Sequence, residues 1–153
     1  MLNNNKHLYI LQVLYDKIYL VMYMKVLTIK QPYASMIISN YKKYEFRTWK
    51  TNYRGKLLIH AGGNIDKEDM KYFSYLNIED YPTKCIIGEC ELVDCILIDE
   101  KFDHELYNID NKIYGRHSRV GEYAWKLDKI KIYDKVIEIP GKLGLWNYGD
   151  KDE

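Results

Sequence analysis

The period of the apolar positions changes several times along the chain, and each change marks a predicted element. VLTI (26–29) is a β-branched run and predicts a strand. Lys30-Gln31-Pro32 follows it, and proline suits the first turn of a helix, where its missing N–H would have no partner anyway. In PYASMIIS, Tyr33, Met36 and Ile37 share one face, which predicts a helix of about two turns. Asn40 tolerates the left-handed conformation that ends such a helix. From 43 to 49 the period drops to two: Tyr44, Phe46 and Thr48 point one way, and Lys43, Glu45, Arg47 and Trp49 the other. That pattern predicts a strand with an aromatic core face and a charged face. Asn52 to Gly55 mark a turn, and KLLIHA (56–61) predicts a strand closed by Gly62-Gly63.

Farther along, DKEDMKYFSYL (66–76) fits a helix with acids in its first turn, where the helix dipole favours them. CIIGECELVDCILI (85–98) reads as a long strand in which Gly88 marks a bulge or a close approach. Residues 99–120 read as a loop holding at most one short helix. EYAWKLDKIKIYD (122–134) alternates like a long strand, and IPGKLGLWNY (139–148) adds turn glycines and a last strand. About six closely spaced strands and two or more short helices, without regular strand–helix alternation, predict a mostly β (α+β) fold. The expected form is a small, mainly antiparallel barrel with helices on its flank.

The first residues stand apart. MLNNNKHLYILQVLYDKIYLVMY is apolar but broken by Asp16 and Lys17, which leaves it too short to span a bilayer. No small-residue cleavage site follows it, and no membrane association is expected. Residues 1–23 are therefore expected to be an extension, or the product of a misplaced start. The domain is expected over 24–148, with a frayed tail at 149–153. The chain has 153 residues, the size of one domain that buries a core unaided. Its three cysteines, Cys85, Cys90 and Cys95, are odd in number and lack zinc-knuckle spacing. They read as reduced thiols in or near a strand, in a cytoplasmic setting. No metal and no cofactor are expected, and the oligomeric state is left open.

Charge changes the picture more than composition does. The net charge is only +1, yet residues 24–63 carry Lys25, Lys30, Lys42, Lys43, Arg47, Lys50, Arg54 and Lys56 against Glu45 alone. The rest of the domain is acidic on balance, so one face is expected to be basic unless the two parts neutralise each other. Glu45 and Arg47, two apart on one strand, lie on one side about 7 Å apart by the strand's rise per residue. An Arg fork held by a carboxylate keeps donors to spare. Lys42, Glu45, Arg47 and an adjacent indole form a set suited to a phosphate, a stacked base and a base amine. The plain alternative is a solvated face with a surface ion pair worth under ~1 kcal/mol. His60 reads as a satisfied core or rim histidine, and Trp125 and Trp146 as core residues. Asp99, Glu100, Asp103, His104 and Glu105 look like a metal set on paper but read as a solvated acidic loop. Arg116, His117 and Arg119 read as a basic cluster on a flexible loop that would be able to clamp a backbone.

These residues also form an ordered set of motifs: Gln31-Pro32-Tyr33-Ala34, then Asn40, Lys42, Glu45, Arg47 and Trp49, then Arg54-Gly55 and His60-Ala61. The set resembles the opening of the ASCH domain, a relative of the PUA domain. IIGECELVDC (86–95) is similar to that family's central strand, and GEYAWKL (121–127) and GKLGLWNY (141–148) to its last two, so the resemblance covers about 24–148. It implies a PUA-like β-barrel with a cleft beside the first helix, binding RNA or a nucleotide. The expected contacts are Gln31, Tyr33, Lys42, Glu45, Arg47, Trp49 and Arg54. One branch of the family consists of amidohydrolases acting on a modified nucleoside, N4-acetylcytidine. There a Thr two residues before the Arg is the proposed nucleophile, and here that position holds Glu45, which cannot replace a hydroxyl nucleophile. A ribonuclease is a further alternative, with Lys42 and Arg47 stabilising phosphorane charge and Glu45 as base. A protein-interaction adaptor with a vestigial cleft is the last.

Overall fold

The computed structural model describes residues 3–149. Of the tail expected to fray, residues 150–153 lie outside the described residues. The elements run α1 (Asn3–Met22), β1 (Lys25–Gln31), α2 (Tyr33–Ile38), β2 (Tyr44–Arg47), β3 (Gly55–Ile65), α3 (Lys67–Tyr72), β4 (Cys85–Leu97), α4 (Glu100–Ile109), α5 (Asn111–Tyr114), β5 (Tyr123–Glu138) and β6 (Leu145–Asn147). The mixed α+β class predicted from the sequence is the class observed. Six strands form one sheet in the order β2-β5-β4-β3-β1-β6. Among the described residues only the β1–β3 pairing is parallel.

The sheet curls rather than lying flat. Arg47 on β2 donates from Nη2 to the carbonyl of Thr28 on β1 at 2.6 Å. In the sheet order three strands separate the two, which across a flat sheet is about 19 Å, beyond the reach of any side chain. The strands β2 and β6 at the two ends do not pair with each other, so side chains rather than a ladder draw the ends together. Helix α2 fills the interior. Ala34, Ser35, Met36, Ile37 and Ile38 are all buried, and Ile37 and Ile38 pack with Leu27, Ile59, Leu92 and Trp125 in the main core. Gly88 is the close approach expected, since a Cβ there would stand 2.3 Å from Ile38 Cδ1. Cys85, Cys90 and Cys95 are free and buried on β4, and burial pushes the Cys90 thiol up to about 12.

Two regions differ from the sequence pattern. Strand β3 does not stop at Gly62-Gly63 but runs on to Ile65, which pairs with Gln31. A Cβ at Gly62 would stand 3.1 Å from Thr28 Cγ2, so glycine lets the strands lie close there rather than ending one. Residues 99–120 are mainly helical. Asp99 caps α4 by accepting from Phe102 N, and Asp110 caps α5 by accepting from Lys112 N and Ile113 N. Leu106, Ile113 and Tyr114 are the buried residues that hold this pair of helices to a second core with Phe73 and Ala124. Helix α1 is of a different kind. Leu8, Tyr9, Ile10, Leu11, Leu14, Tyr15, Ile18 and Tyr19 are all exposed along it. Among the described residues, no helix is long and apolar enough to cross a membrane.

Candidate functional site

The local chain after α2 builds the floor of a cavity. Asn40 takes a left-handed conformation (φ 65°) and the N–H groups of Tyr41 and Lys42 both donate to the Met36 carbonyl, at 2.9 and 3.2 Å. This tight reversal points Lys42 inward, where only 4% of the residue is exposed. Lys42 Nζ donates to the Tyr44 carbonyl and lies 3.4 Å from Glu45 Oε2. It also sits 4.4 Å from the centre of the Phe46 ring and 5.7 Å from that of Tyr33. Burial lowers the Lys42 pKa; Glu45 opposes that shift, and Arg119 and Arg47 reinforce it.

Glu45 pairs across the ladder with Trp125, whose side chain is fully buried, and Glu45 itself is buried. Arg47 Nε lies 3.5 Å from Glu45 Oε1. That Nε is buried and has no hydrogen-bond partner among the described residues. The polar face of β2 is thus an interior one: cation, carboxylate and cation side by side at the bottom of a 630 Å³ cavity.

The opposite wall is a neutral network. Trp146 Nε1 donates to Thr28 Oγ1 at 2.9 Å, Thr28 Oγ1 lies 3.4 Å from His60 Nδ1, and His60 Nε2 lies 2.7 Å from the Ile139 carbonyl. A carbonyl only accepts, so the network assigns the proton to Nε2 and leaves Nδ1 to accept from the Thr28 hydroxyl. Burial lowers the His60 pKa, the carbonyl hydrogen bond notwithstanding, and so keeps the ring neutral. His60 is the satisfied histidine expected, although it also lines the cavity.

The rim is basic. Lys30, Lys84, Arg116, His117, Arg119 and Lys142 all line the cavity. Residues 116–119 are not a free loop. Arg116 pairs with Glu68 at 3.1 Å and with Asp69, and it stacks 4.4 Å over the Tyr72 ring. Arg119 N donates to Asp103 at 3.0 Å, and its guanidinium stands 5.3 Å over Phe46. The acidic run 99–105 is the start of α4 rather than a loop: Asp99 caps the helix, Asp103 holds Ser118 and Arg119, and Glu100, His104 and Glu105 are exposed. Among the described residues no group of His, Cys, Asp and Glu is placed to hold a metal ion.

Of the seven contact residues expected from sequence, Tyr33, Lys42, Glu45 and Arg47 line the cavity. Gln31 is buried beside it and staples α2, accepting from Ser35 N and donating to Ser35 Oγ and the Pro82 carbonyl. Trp49 packs edge-on against Trp125, with centroids 4.8 Å apart. Arg54 donates to the carbonyls of Thr51 and Tyr53 and lies 3.6 Å from Asp94. Phe73, Ile113 and Tyr114, which also line the cavity, carried no signal in the sequence beyond their apolar character.

Comparison with known proteins bears on this arrangement. The family model described as the ASCH domain matches residues 27–139. The Activating signal cointegrator 1 proteins of Mus musculus and Homo sapiens are 32% identical over 81 residues and 31% identical over 83. Each match takes in 46% of this chain and 14% of the relative, so the chain spans a small part of the length of these relatives. The crystal structure of ASCH from Zymomonas mobilis is 15% identical, with a TM-score of 0.52, and the match covers 82% of this chain and 87% of that one. A serine-to-alanine mutant of that same protein gives 16% identity and a TM-score of 0.50, over 83% and 89% of the two chains. At such identity the likeness is one of fold.

Proposed function

This chain belongs to the ASCH domain family, and from that premise we propose that it binds RNA by taking one nucleotide of a single strand into the cavity above Lys42, Glu45 and Arg47. The observation that supports this most is the setting of the trio. Its charges face a concave space of 630 Å³, the size of a small-ligand site, and not open solvent. Tyr33, Phe46 and Phe73 offer ring surface along the walls for an inserted base, and base–aromatic stacking is worth about 1–3 kcal/mol. Lys30, Lys84 and Arg119 at the rim stand where the flanking phosphates would pass. Arg47 and Lys42 then serve as donors to the base, and Glu45 as the acceptor that holds both cations.

The test is a titration of labelled single-stranded RNA at rising salt. Phosphate contacts are released against counterions, so affinity is expected to fall steeply with salt. Arg47→Ala is expected to weaken binding far more than Lys50→Ala, whose side chain lies exposed outside the cavity. No binding, or equal losses in the two variants, would refute the reading. Cleavage of the RNA during the titration would convert it into that of a hydrolase.

A further inference from the structure

We propose that a second base subsite lies at the mouth of the cavity, where Leu143 packs on the face of the base next to the inserted one; the inference rests on the nucleotide-binding reading above. Of the exposed large apolar side chains among the described residues, Leu143 is the one that borders the cavity. It is 97% exposed. A side chain pointing into the cavity would be screened by the walls, so this one stands outward at the entrance. The inserted base already has Tyr33, Phe46 and Phe73 along those walls. Leu143 is therefore placed for a neighbour of the guest and not for the guest itself.

The backbone holds it in that place. Leu143 belongs to the segment IPGKLG (139–144), which is neither helix nor strand and is fastened at both ends. Ile139 N donates to the Lys84 carbonyl at 3.2 Å, and the Ile139 carbonyl accepts from His60 Nε2 at 2.7 Å. At the other end the Gly144 carbonyl accepts from Thr28 N at 3.3 Å. Gly144 turns the chain there with a left-handed φ of 68°, which glycine adopts freely. Between these anchors Gly141 lies flat on the wall: a Cβ there would stand 2.4 Å from His60 Cε1 and 3.1 Å from Thr28 Oγ1. A strap pinned at three points keeps its leucine at the entrance.

The chemistry of a single strand supplies the occupant. A base drawn into the cavity leaves its stack, and the neighbour it leaves turns a bare apolar face to water. Proteins that part stacked bases set leucine, isoleucine, methionine or phenylalanine against such faces. A lone exposed leucine on an open surface is ordinary; this one stands where the uncovered neighbour would pass. A leucine has no polar atom with which to read a base edge, while every base has a face to cover. The subsite therefore accepts any base, and the chain takes RNA in units of two nucleotides, one inside and one across the strap.

The experiment compares the full chain with its Leu143→Ser variant by fluorescence anisotropy. The probes are labelled RNA hexamers of a single base, one for each of the four bases, and matched hexamers that are abasic except at one central position. The ratio of variant to parent affinity is read for each probe, so the number of registers a probe can adopt cancels. Leu143→Ser is expected to weaken the full hexamers about fivefold to twentyfold, the worth of one leucine side chain covered by a base. The single-base hexamers have no neighbour to cover, and their affinity is expected to change less than about twofold. Leu143→Met, which keeps the apolar surface, is expected to restore binding of the full hexamers. The side chain stands almost wholly in water, so these variants are expected to melt with the parent. Equal losses on both kinds of hexamer would place Leu143 on the inserted base or the backbone and overturn the second subsite. No loss on either would overturn it too, and both results leave RNA binding intact. Binding of no hexamer by the parent chain would overturn both readings together.

Discussion

Two trios of cation, carboxylate and cation sit on the sheet. Lys42, Glu45 and Arg47 form the inner one, with contacts of 3.4 and 3.5 Å. Lys56, Glu89 and Lys131 form the outer one across β3, β4 and β5, with contacts of 3.2 and 3.8 Å. The distances do not tell them apart. Exposure does: the outer lysine side chains are 60% and 71% exposed, and the inner cations 4% and 20%. Exposed pairs gain little, because water screens the attraction and long side chains lose freedom. The inner charges have given up most of their hydration, and each leans on the others and on the Thr28 and Tyr44 carbonyls to offset that loss. Ion-pair geometry alone would rate the trios alike. The inner one sets its charged groups along a concave space of 630 Å³.

The sharpest way to break this comparison is to remove each carboxylate. Glu45→Ala strands the buried Lys42 and the partly buried Arg47 and is expected to cost about 3–5 kcal/mol in urea unfolding. Glu89→Ala is expected to cost no more than about 1 kcal/mol, and equal losses would erase the distinction. The next effect is on binding. Arg47→Ala is expected to lower RNA affinity by about tenfold to a hundredfold, the value of a charge-assisted hydrogen bond. Lys131→Ala, on the outer trio, is expected to change it less than about twofold.

A smaller effect separates the two sides by pH. Burial holds the Lys42 pKa below 10.5, while the hydrogen bond to Glu91 raises that of the exposed Lys129 on the outer face. Raising the pH from neutral toward 10.5 therefore discharges the floor of the cavity first, and RNA affinity is expected to fall in that window. Stability moves the other way. Between the lowered value and 10.5 the unfolded chain binds more protons at this lysine than the folded one, so its contribution to stability rises with pH. The smallest effect tests the domain boundary. We propose that residues 1–23 are an appendage, and their deletion is expected to shift stability by less than about 1 kcal/mol. A loss of folding would make α1 part of the domain.

Local elements were legible in the sequence, and long-range ones were not. Strand β1, the proline-led α2 and the left-handed Asn40 follow from neighbouring residues, and they stand as expected. The spacing of Glu45 and Arg47 likewise predicts their ion pair. Their burial was not legible, since it depends on β5 and on Trp125, some eighty positions on. The alternation of residues 43–49 placed Trp49 beside Arg47, but β2 ends at Arg47 and the indole packs instead on Trp125. The 116–119 segment read as mobile because its anchors, Asp69 and Asp103, lie 47 and 16 positions away. Sequence pattern identifies a basic cluster; it does not say which carboxylates will hold it.

The reach of Arg47 across the sheet has a consequence for how such a pocket can diversify. One guanidinium is both a wall of the chamber and the clasp that joins two distant strands. A lineage that retuned its guest by replacing this residue would loosen the scaffold in the same step. New preferences are therefore easier to acquire through the helical margin around residues 113–119, where a change alters the doorway and leaves the frame shut.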